Sequence, residues 1–403
     1  MPKNWQNSLL IIADIGLALY SILIIRKIKP AHIRLIFLIA AFMLMLIVSG
    51  IYSPFEYGLK SAILSSSILA IGIFMSMQSN WIENCLRCLL FFSIIHSVCT
   101  LFLFVFPDLF KIIVFPVLPN EISVEITWFM VHDLYSGITD QIARNAFYIT
   151  VGIAIIAGNF ISKYKKYSIF SILLICMLIL TLLLTGKRSH TLSNIIAFIF
   201  MVGAFAKMQR KKVVTKILFS ITGITLLSLV IILIVPMVGT PFVRLITSYN
   251  EGNIIGDRSE LYAFAVQLFT QKPIFGWGVG AFSLFQNIGT HNVYLQMLCE
   301  NGIVGAILFI LILISNLLVT LKVIKIYSNL NNSLYDRYLC FSIYMQIFYI
   351  LYCMSGNPFN DGFILIVYMI AMSIPYAMSG NFLKPHRRKI IHDIREPNDK
   401  HGV

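Results

Sequence analysis

The chain has 403 residues, is 58% hydrophobic and 12% charged, and has a mean hydropathy of +0.85. That balance excludes a soluble domain, and apolar runs that are long and unalternated exclude a β-barrel, which leaves an all-α polytopic membrane protein. The net charge of +14 raises nucleic acid as a partner, but most of it lies in alternate loops between apolar runs, where it sets topology and meets anionic lipid.

Eleven apolar runs follow one another, roughly at 8–25, 35–52, 61–77, 88–106, 143–160, 168–185, 190–206, 216–236, 302–321, 338–355 and 362–379. Each is close to the ~17–25 residues that cross a bilayer, which predicts about 11–12 transmembrane helices. The first run is followed by Arg26, Lys27 and Lys29 with no small-residue cleavage site, so no cleavable signal peptide is expected. The chain reads as a single integral membrane domain over 1–403.

Lysine and arginine divide unevenly between the two sets of loops. One set, with Arg26, Arg34, Arg87, Lys163, Lys207, Lys212, Lys322, Arg337 and the basic tail 380–403 among its members, holds twenty-two of them. The opposite set holds eight: Lys3, Lys60, Lys111, Lys187, Arg188, Arg244, Arg258 and Lys272. Arg144 stands at a helix mouth. The bias places the first set in the cytoplasm, with the C-terminus inside and the N-terminus outside. Seven scattered cysteines lie mostly in apolar runs and read as small hydrophobes, and Cys85-Leu-Arg-Cys88 alone does not make a zinc site.

Two outward segments are longer than a turn. The first, 107–140, carries Phe115-Pro116-Val117-Leu118-Pro119 and then Trp128, Phe129 and Met130, an apolar content that predicts a segment lying on or dipping into the membrane surface. Between the two, Thr185-Gly186-Lys187-Arg188-Ser189-His190 joins two spans with almost no loop. A snorkelling pair of cations is the plain explanation. Cations on the outer side run against the charge bias, however, and mark Lys187 and Arg188 as candidate anion ligands.

The main outward loop, 237–301, is the more informative. Asp257 and Glu260 have capping-box spacing, which predicts a helix from Arg258 to about Gln271, with Pro273 beyond its end and a stripe of Leu261, Phe264, Ala265 and Leu268. An amphipathic interfacial helix accounts for that stripe. Arg258 in its first turn adds a planar donor fork where helix N–H groups and dipole already favour anions. Gly276-Trp277-Gly278-Val279-Gly280 has no strand before it and no βαβ unit around it, so it reads as a tight turn and not as a dinucleotide loop. Thr290 is an acceptable N-cap, which puts His291 and Asn292 in the first turn of a helix that stops near Gly302. Asp361, the acid of the short turn Ser355-Gly356-Asn357-Pro358-Phe359-Asn360-Asp361, is either a helix cap or a partner for a basic group or a hydroxyl.

At these residues the chain resembles the O-antigen ligase and polymerase superfamily of polytopic glycosyltransferases. Leu184-Thr185-Gly186-Lys187-Arg188-Ser189 resembles its L-T-x-S-R-x segment, with Lys187 where Ser is common. Arg258 through Gly280 resembles its R-x(n)-P-x-x-G-x-G-x-G block, and His291-Asn292 through Gly305 its H-N-x-x-L-x-x-x-x-x-G-x-x-G block. The likeness covers about residues 180–320; the first half of the chain shares only its hydrophobicity.

The resemblance implies a GT-C-like membrane enzyme at the periplasmic face of a bacterial inner membrane. Its donor would be an undecaprenyl-pyrophosphate-linked glycan, with no cofactor, no nucleotide sugar and no metal. The sequence has no D-x-D motif on the outer face. Membrane lipids and a chain-length regulator protein are the other implied partners; nucleic acid is not among them. In this reading His291, Arg258 and Arg188 are catalytic, and Lys187, Arg244, Asn292 and Asp361 bind substrate. His291 would take the acceptor hydroxyl proton, and the arginines would hold the leaving pyrophosphate. The short separation of Arg258 and His291 favours a Wzy-type polymerase of repeat units over a ligase that moves finished glycan to lipid A core. A lipid-linked oligosaccharide transporter would want polar or charged groups at mid-membrane in several spans, and few are evident. A non-catalytic scaffold would tolerate loss of Arg258 and His291.

Overall fold

The computed structural model describes residues 30–162, 169–206, 258–327 and 332–379. The expected spans 8–25 and 216–236, the basic tail 380–403, Arg244 and Asp257 fall outside the described residues. The helices are α1 Pro30–Ile51, α2 Gly58–Ser76, α3 Ile82–Val105, α4 Pro107–Val114, α5 Asn120–Val131, α6 Ile142–Ser162, α7 Ile169–Leu184, α8 Arg188–Ala206, α9 Arg258–Gln271, α10 Ala281–Gln286, α11 Val293–Tyr327, α12 Ser333–Tyr352 and α13 Gly362–Ser379. No strand occurs among the described residues. Among the described residues six helices, α1, α2, α3, α6, α11 and α13, are long and apolar enough to cross a membrane, and α7 is a shorter apolar helix. The protein is an all-α polytopic membrane protein.

α12 stands at the centre and packs against α6, α8, α11 and α13. Around it, α2 lies between α1 and α13, α3 leans on α6 and α7, and α11 leans on α1. The outer helices keep apolar side chains such as Phe37, Leu44, Phe91 and Phe170 exposed, as helices facing lipid must. Apolar contact between helices gains little over contact with lipid tails, so polar clamps and close packing hold such bundles together. Asn194 Nδ2 donates to Thr150 Oγ1 at 2.8 Å, and Tyr344 donates to Asn194 Oδ1 at 2.6 Å, joining α6, α8 and α12. Gln346 Nε2 donates to Thr320 Oγ1 at 2.7 Å, and Tyr376 to Asn316 Oδ1 at 3.1 Å, joining α11 to α12 and α13. Polar groups inside the bundle are therefore more numerous than the sequence makes evident. These are neutral and clamp helix to helix.

The two ends of the bundle differ. At one end His32 Nε2 and the Ser76 carbonyl lie 3.0 Å apart, Arg337 reaches Glu83 at 2.7 Å, and Arg87 reaches the same carboxylate at 2.8 Å. This is the end that the charge bias predicts to face the cytoplasm. The opposite end gathers the α1–α2, α7–α8 and α12–α13 connections together with α4, α5, α9 and α10. There α4 and α5 are packed through Phe110 and Ile126 onto Leu103, Leu183 and Leu184, while Ile112, Val117, Val124, Trp128 and Val131 remain exposed. The segment thus keeps an apolar surface exposed while packing one face onto the bundle.

Candidate functional site

The site is assembled at that second end from four short stretches. The first is the α7–α8 junction. Gly186 has a φ of 65, which turns the chain at once, and Thr185 Oγ1 accepts the Lys187 N–H at 3.3 Å. Lys187 is thus the linker residue and Arg188 the first residue of α8. Tyr135 N–H donates to the Leu184 carbonyl at 3.2 Å and braces the junction from the 107–140 segment.

The second stretch is α9. It spans the predicted residues, with Arg258 at its start. The predicted stripe is real: Ala265 and Leu268 are buried with Phe282 and Cys299, and Leu261 and Phe264 pack against them. With one face so fixed, Arg258 is aimed across the site, and its Nη1 donates to the Ser355 carbonyl at 3.1 Å.

The glycine turn after α9 lets backbone meet backbone. Trp277 N–H donates to the Cys299 carbonyl at 2.9 Å, and Gly278 N–H to the Glu300 carbonyl at 2.8 Å. A Cβ on Gly276 would stand 2.5 Å from the Glu300 carbonyl, so glycine is required there. Ser53, from the α1–α2 connection, donates to the Val279 carbonyl at 2.7 Å. These contacts hold α9 and α10 down on α11.

The third stretch carries His291. It lies just outside α11 and has a φ of 53, in the left-handed region that few non-glycine residues adopt. The expected N-cap at Thr290 is corrected by one turn residue and its neighbour. Asn292 Oδ1 accepts the N–H groups of Tyr294 and Leu295 at 3.0 and 3.2 Å, so Asn292 is the cap and His291 precedes the helix. Thr290 Oγ1 instead donates to the Asn292 carbonyl at 2.9 Å and to Asn357 Oδ1 at 3.2 Å. The predicted break at Gly302 is present, at φ 63 within α11. The next N–H groups, of Ile303 and Val304, donate to the carbonyls of Pro273 and Ile274.

Electrostatics bind these three stretches into one locality. Burial, with the charges of Arg258 and Arg188 behind it, pushes the Lys187 amine down to about 8. Burial, followed by the charges of Arg258 and Lys187, pushes His291 down to about 4. Lys187, Arg188, Arg258 and His291 therefore share one electric field, although their sequence positions run from 187 to 291. A neutral imidazole ringed by cations can take a proton once an anion offsets those cations.

The fourth stretch is the α12–α13 turn. Asp361 Oδ1 accepts the N–H groups of Phe363 and Ile364 at 3.1 and 3.2 Å, and Oδ2 accepts from Arg144 Nε at 2.8 Å. Arg144 also pairs with Asp140. Asp361 is thus both of the things weighed for it, a helix cap and the partner of a basic side chain. Sequence reasoning set Arg144 aside and did not single out Asn357, Asn360 or Gln296. A separation of 217 residues between Arg144 and Asp361 leaves no local signal.

Residues 170–310 match the family model described as O-antigen ligase. The matched stretch contains Lys187, Arg188, Arg258 and His291, so every member of the cationic cluster lies in the part of the chain that is similar to that family. Arg144 and Asp361 lie outside it. The match is a likeness over that stretch, about a third of the chain. No curated protein matches the chain.

Proposed function

We propose that the protein is a glycosyltransferase that polymerises lipid-pyrophosphate-linked oligosaccharide repeat units at the periplasmic face of the inner membrane. The observation that carries this reading is that Arg258, bonded to the Ser355 carbonyl, and the His291 stretch, tied through Thr290 to Asn357, meet at one turn, where the charges of Arg258 and Lys187 add to burial in lowering His291 to about 4. Lys187, held down by the charges of Arg258 and Arg188, and those two arginines form a ready site for a pyrophosphate. His291 adds a proton acceptor. Its left-handed backbone is a conformation that persists where surrounding structure insists on it, as at active sites.

In the step proposed, the acceptor hydroxyl oxygen bonds to the anomeric carbon while the bond from that carbon to the pyrophosphate oxygen breaks. The bonding pair leaves with the pyrophosphate, which Arg188, Arg258 and Lys187 hold as its charge grows. The hydroxyl proton passes to His291. The bound pyrophosphate opposes the cations that depress the imidazole, so the donor itself makes His291 a better base. One displacement inverts the anomeric carbon. Arg244 is kept as a further ligand of the same anion, and lipid and a chain-length regulator as partners.

The same site would serve ligation to lipid A core, and the description of the matching family favours that second reading. The compact run between Arg258 and His291 favours polymerisation: α9, the glycine turn and α10 fill it and pack onto α11, with little room for a large extra lobe. Glycan from a deletion strain decides between them. Single capped repeats are expected; accumulated long lipid-linked chains would make the protein a ligase.

A further inference from the structure

The α12–α13 turn carries an amide that the cationic cluster does not use. Asn360 is exposed at the site end, yet its side chain is anchored. Its Oδ1 accepts from Gln296 Nε2 at 3.1 Å. Gln296 Nε2 also donates to Glu300 Oε2 at 3.0 Å, and Glu300 Oε1 accepts the Phe282 N–H at 3.3 Å. Gln296 is 5% exposed and Glu300 1%. A buried polar chain thus starts at α10, crosses α11 and ends on one exposed amide. Burying such groups opposes folding, and Gln296 Oε1 gains no hydrogen-bond partner among the described residues. Apolar packing would hold the turn as well. It would not fix the rotamer of a surface asparagine.

The position of that asparagine is informative. Its N–H donates to the Asn357 carbonyl at 3.1 Å, and Asn357 Oδ1 accepts from Thr290, the residue before His291. Ser355, at the start of the same turn, takes the hydrogen bond of Arg258. The turn therefore runs alongside both the cations and the histidine and offers neutral amides. A primary amide both donates and accepts, as a sugar hydroxyl does, and it has no charge with which to compete for pyrophosphate.

We propose that Asn360 is a specificity-determining contact for hydroxyl groups of the acceptor sugar, and that Gln296 and Glu300 are positioning residues acting through it. This rests on the glycosyl-transfer reading above. The probe is the pyrophosphate-free oligosaccharide released by mild acid from the host cell's own lipid-linked repeat units, which can act only as acceptor. With the full chain in liposomes and donor saturating, the acceptor KM and kcat are compared for wild type, Asn360→Asp, Asn360→Leu and Gln296→Met. Equilibrium dialysis of the same oligosaccharide and of the lipid-linked donor runs in parallel. Both Asn360 variants should raise the acceptor KM by roughly 3–10-fold, the worth of one hydrogen bond, with a smaller change in kcat and unchanged donor binding. Gln296→Met should move acceptor KM the same way but less. Asn360 is exposed, so its variants decide the matter even if Gln296→Met fails to fold. Acceptor KM and oligosaccharide binding within twofold of wild type in both Asn360 variants would overturn the proposal, as would a wild type that binds no oligosaccharide. A wild type that binds oligosaccharide and transfers nothing defeats the reaction, while dialysis of the variants still decides the subsite.

Discussion

Arg258 Nη1 donates to the Ser355 carbonyl across 3.1 Å, joining the first residue of α9 to the turn that precedes α13. That single bond links the two walls of the site, because the same turn reaches Thr290 through Asn357. It also uses only part of the guanidinium, whose planar fork carries further donors for an anion.

The first prediction concerns that fork. Arg258→Lys keeps the charge and loses the geometry, so polymer should fall substantially, and Arg258→Ala should remove nearly all of it. Protein level in the membrane should stay normal in both, as checked by immunoblot beside glycan gels. Full polymer from both variants would return Arg258 to a purely structural role.

The second prediction is a pH profile. In the empty site His291 is neutral above about 4, and Lys187 is charged below about 8. Protonating His291 removes the base, and deprotonating Lys187 removes an anion ligand. The kcat/KM profile, which reports the empty site, should fall on the acid side near 4 and on the alkaline side near 8. Lys187→Arg should abolish the alkaline fall and leave the acid one. An unchanged alkaline limb in Lys187→Arg would separate Lys187 from donor binding.

The third prediction is about stability. Arg144 and Asp361 are 31% and 16% exposed at the side chain and tie α6 to the start of α13. Arg144→Ala leaves Asp361 with its cap alone. It should cost about 1.5–3 kcal/mol, the range for hydrogen bonds to charged groups, read as a lower melting temperature in detergent. Donor binding per folded molecule should hold. Loss of donor binding with an unchanged melting temperature would instead make Arg144 a substrate ligand.

Much of this arrangement was legible in the chain. The apolar stripe and Pro273 placed the end of α9 at Gln271, because one face of that helix is decided by local periodicity, while its expected capping residue Asp257 lies outside the described residues. Gly302 marked the break in α11, since only glycine tolerates both the positive φ and the approach of the Ile274 carbonyl. The cap of α11 was misplaced because Thr290 and Asn292 are both good capping residues, and the left-handed turn at His291 that selects Asn292 has no local signature. The Arg144–Asp361 pair and the Glu300–Gln296–Asn360 chain were hidden for another reason. Each ties a helix to the distant α12–α13 turn, Arg144 from α6 and Gln296 from α11, and such pairing depends on how the helices pack.

The fourth prediction concerns orientation. Reporter fusions after Lys212 and at the C-terminus should read cytoplasmic, and a fusion near Asn250 should read periplasmic, because the excess of Lys and Arg lies in the first set of loops. A cytoplasmic signal at Asn250 would put the cationic cluster in the wrong compartment for periplasmic glycan assembly.

The most direct test is polymer formation in vitro from purified lipid-linked repeat units, with donor binding measured alongside, for wild type and His291→Ala. If His291 accepts the hydroxyl proton, the variant should bind donor as wild type does and lose roughly 10²–10⁴-fold in rate, the usual worth of a positioned general base. A variant that binds donor normally and polymerises at near wild-type rate would contradict the account. His291 would then serve only to hold the turn before α11.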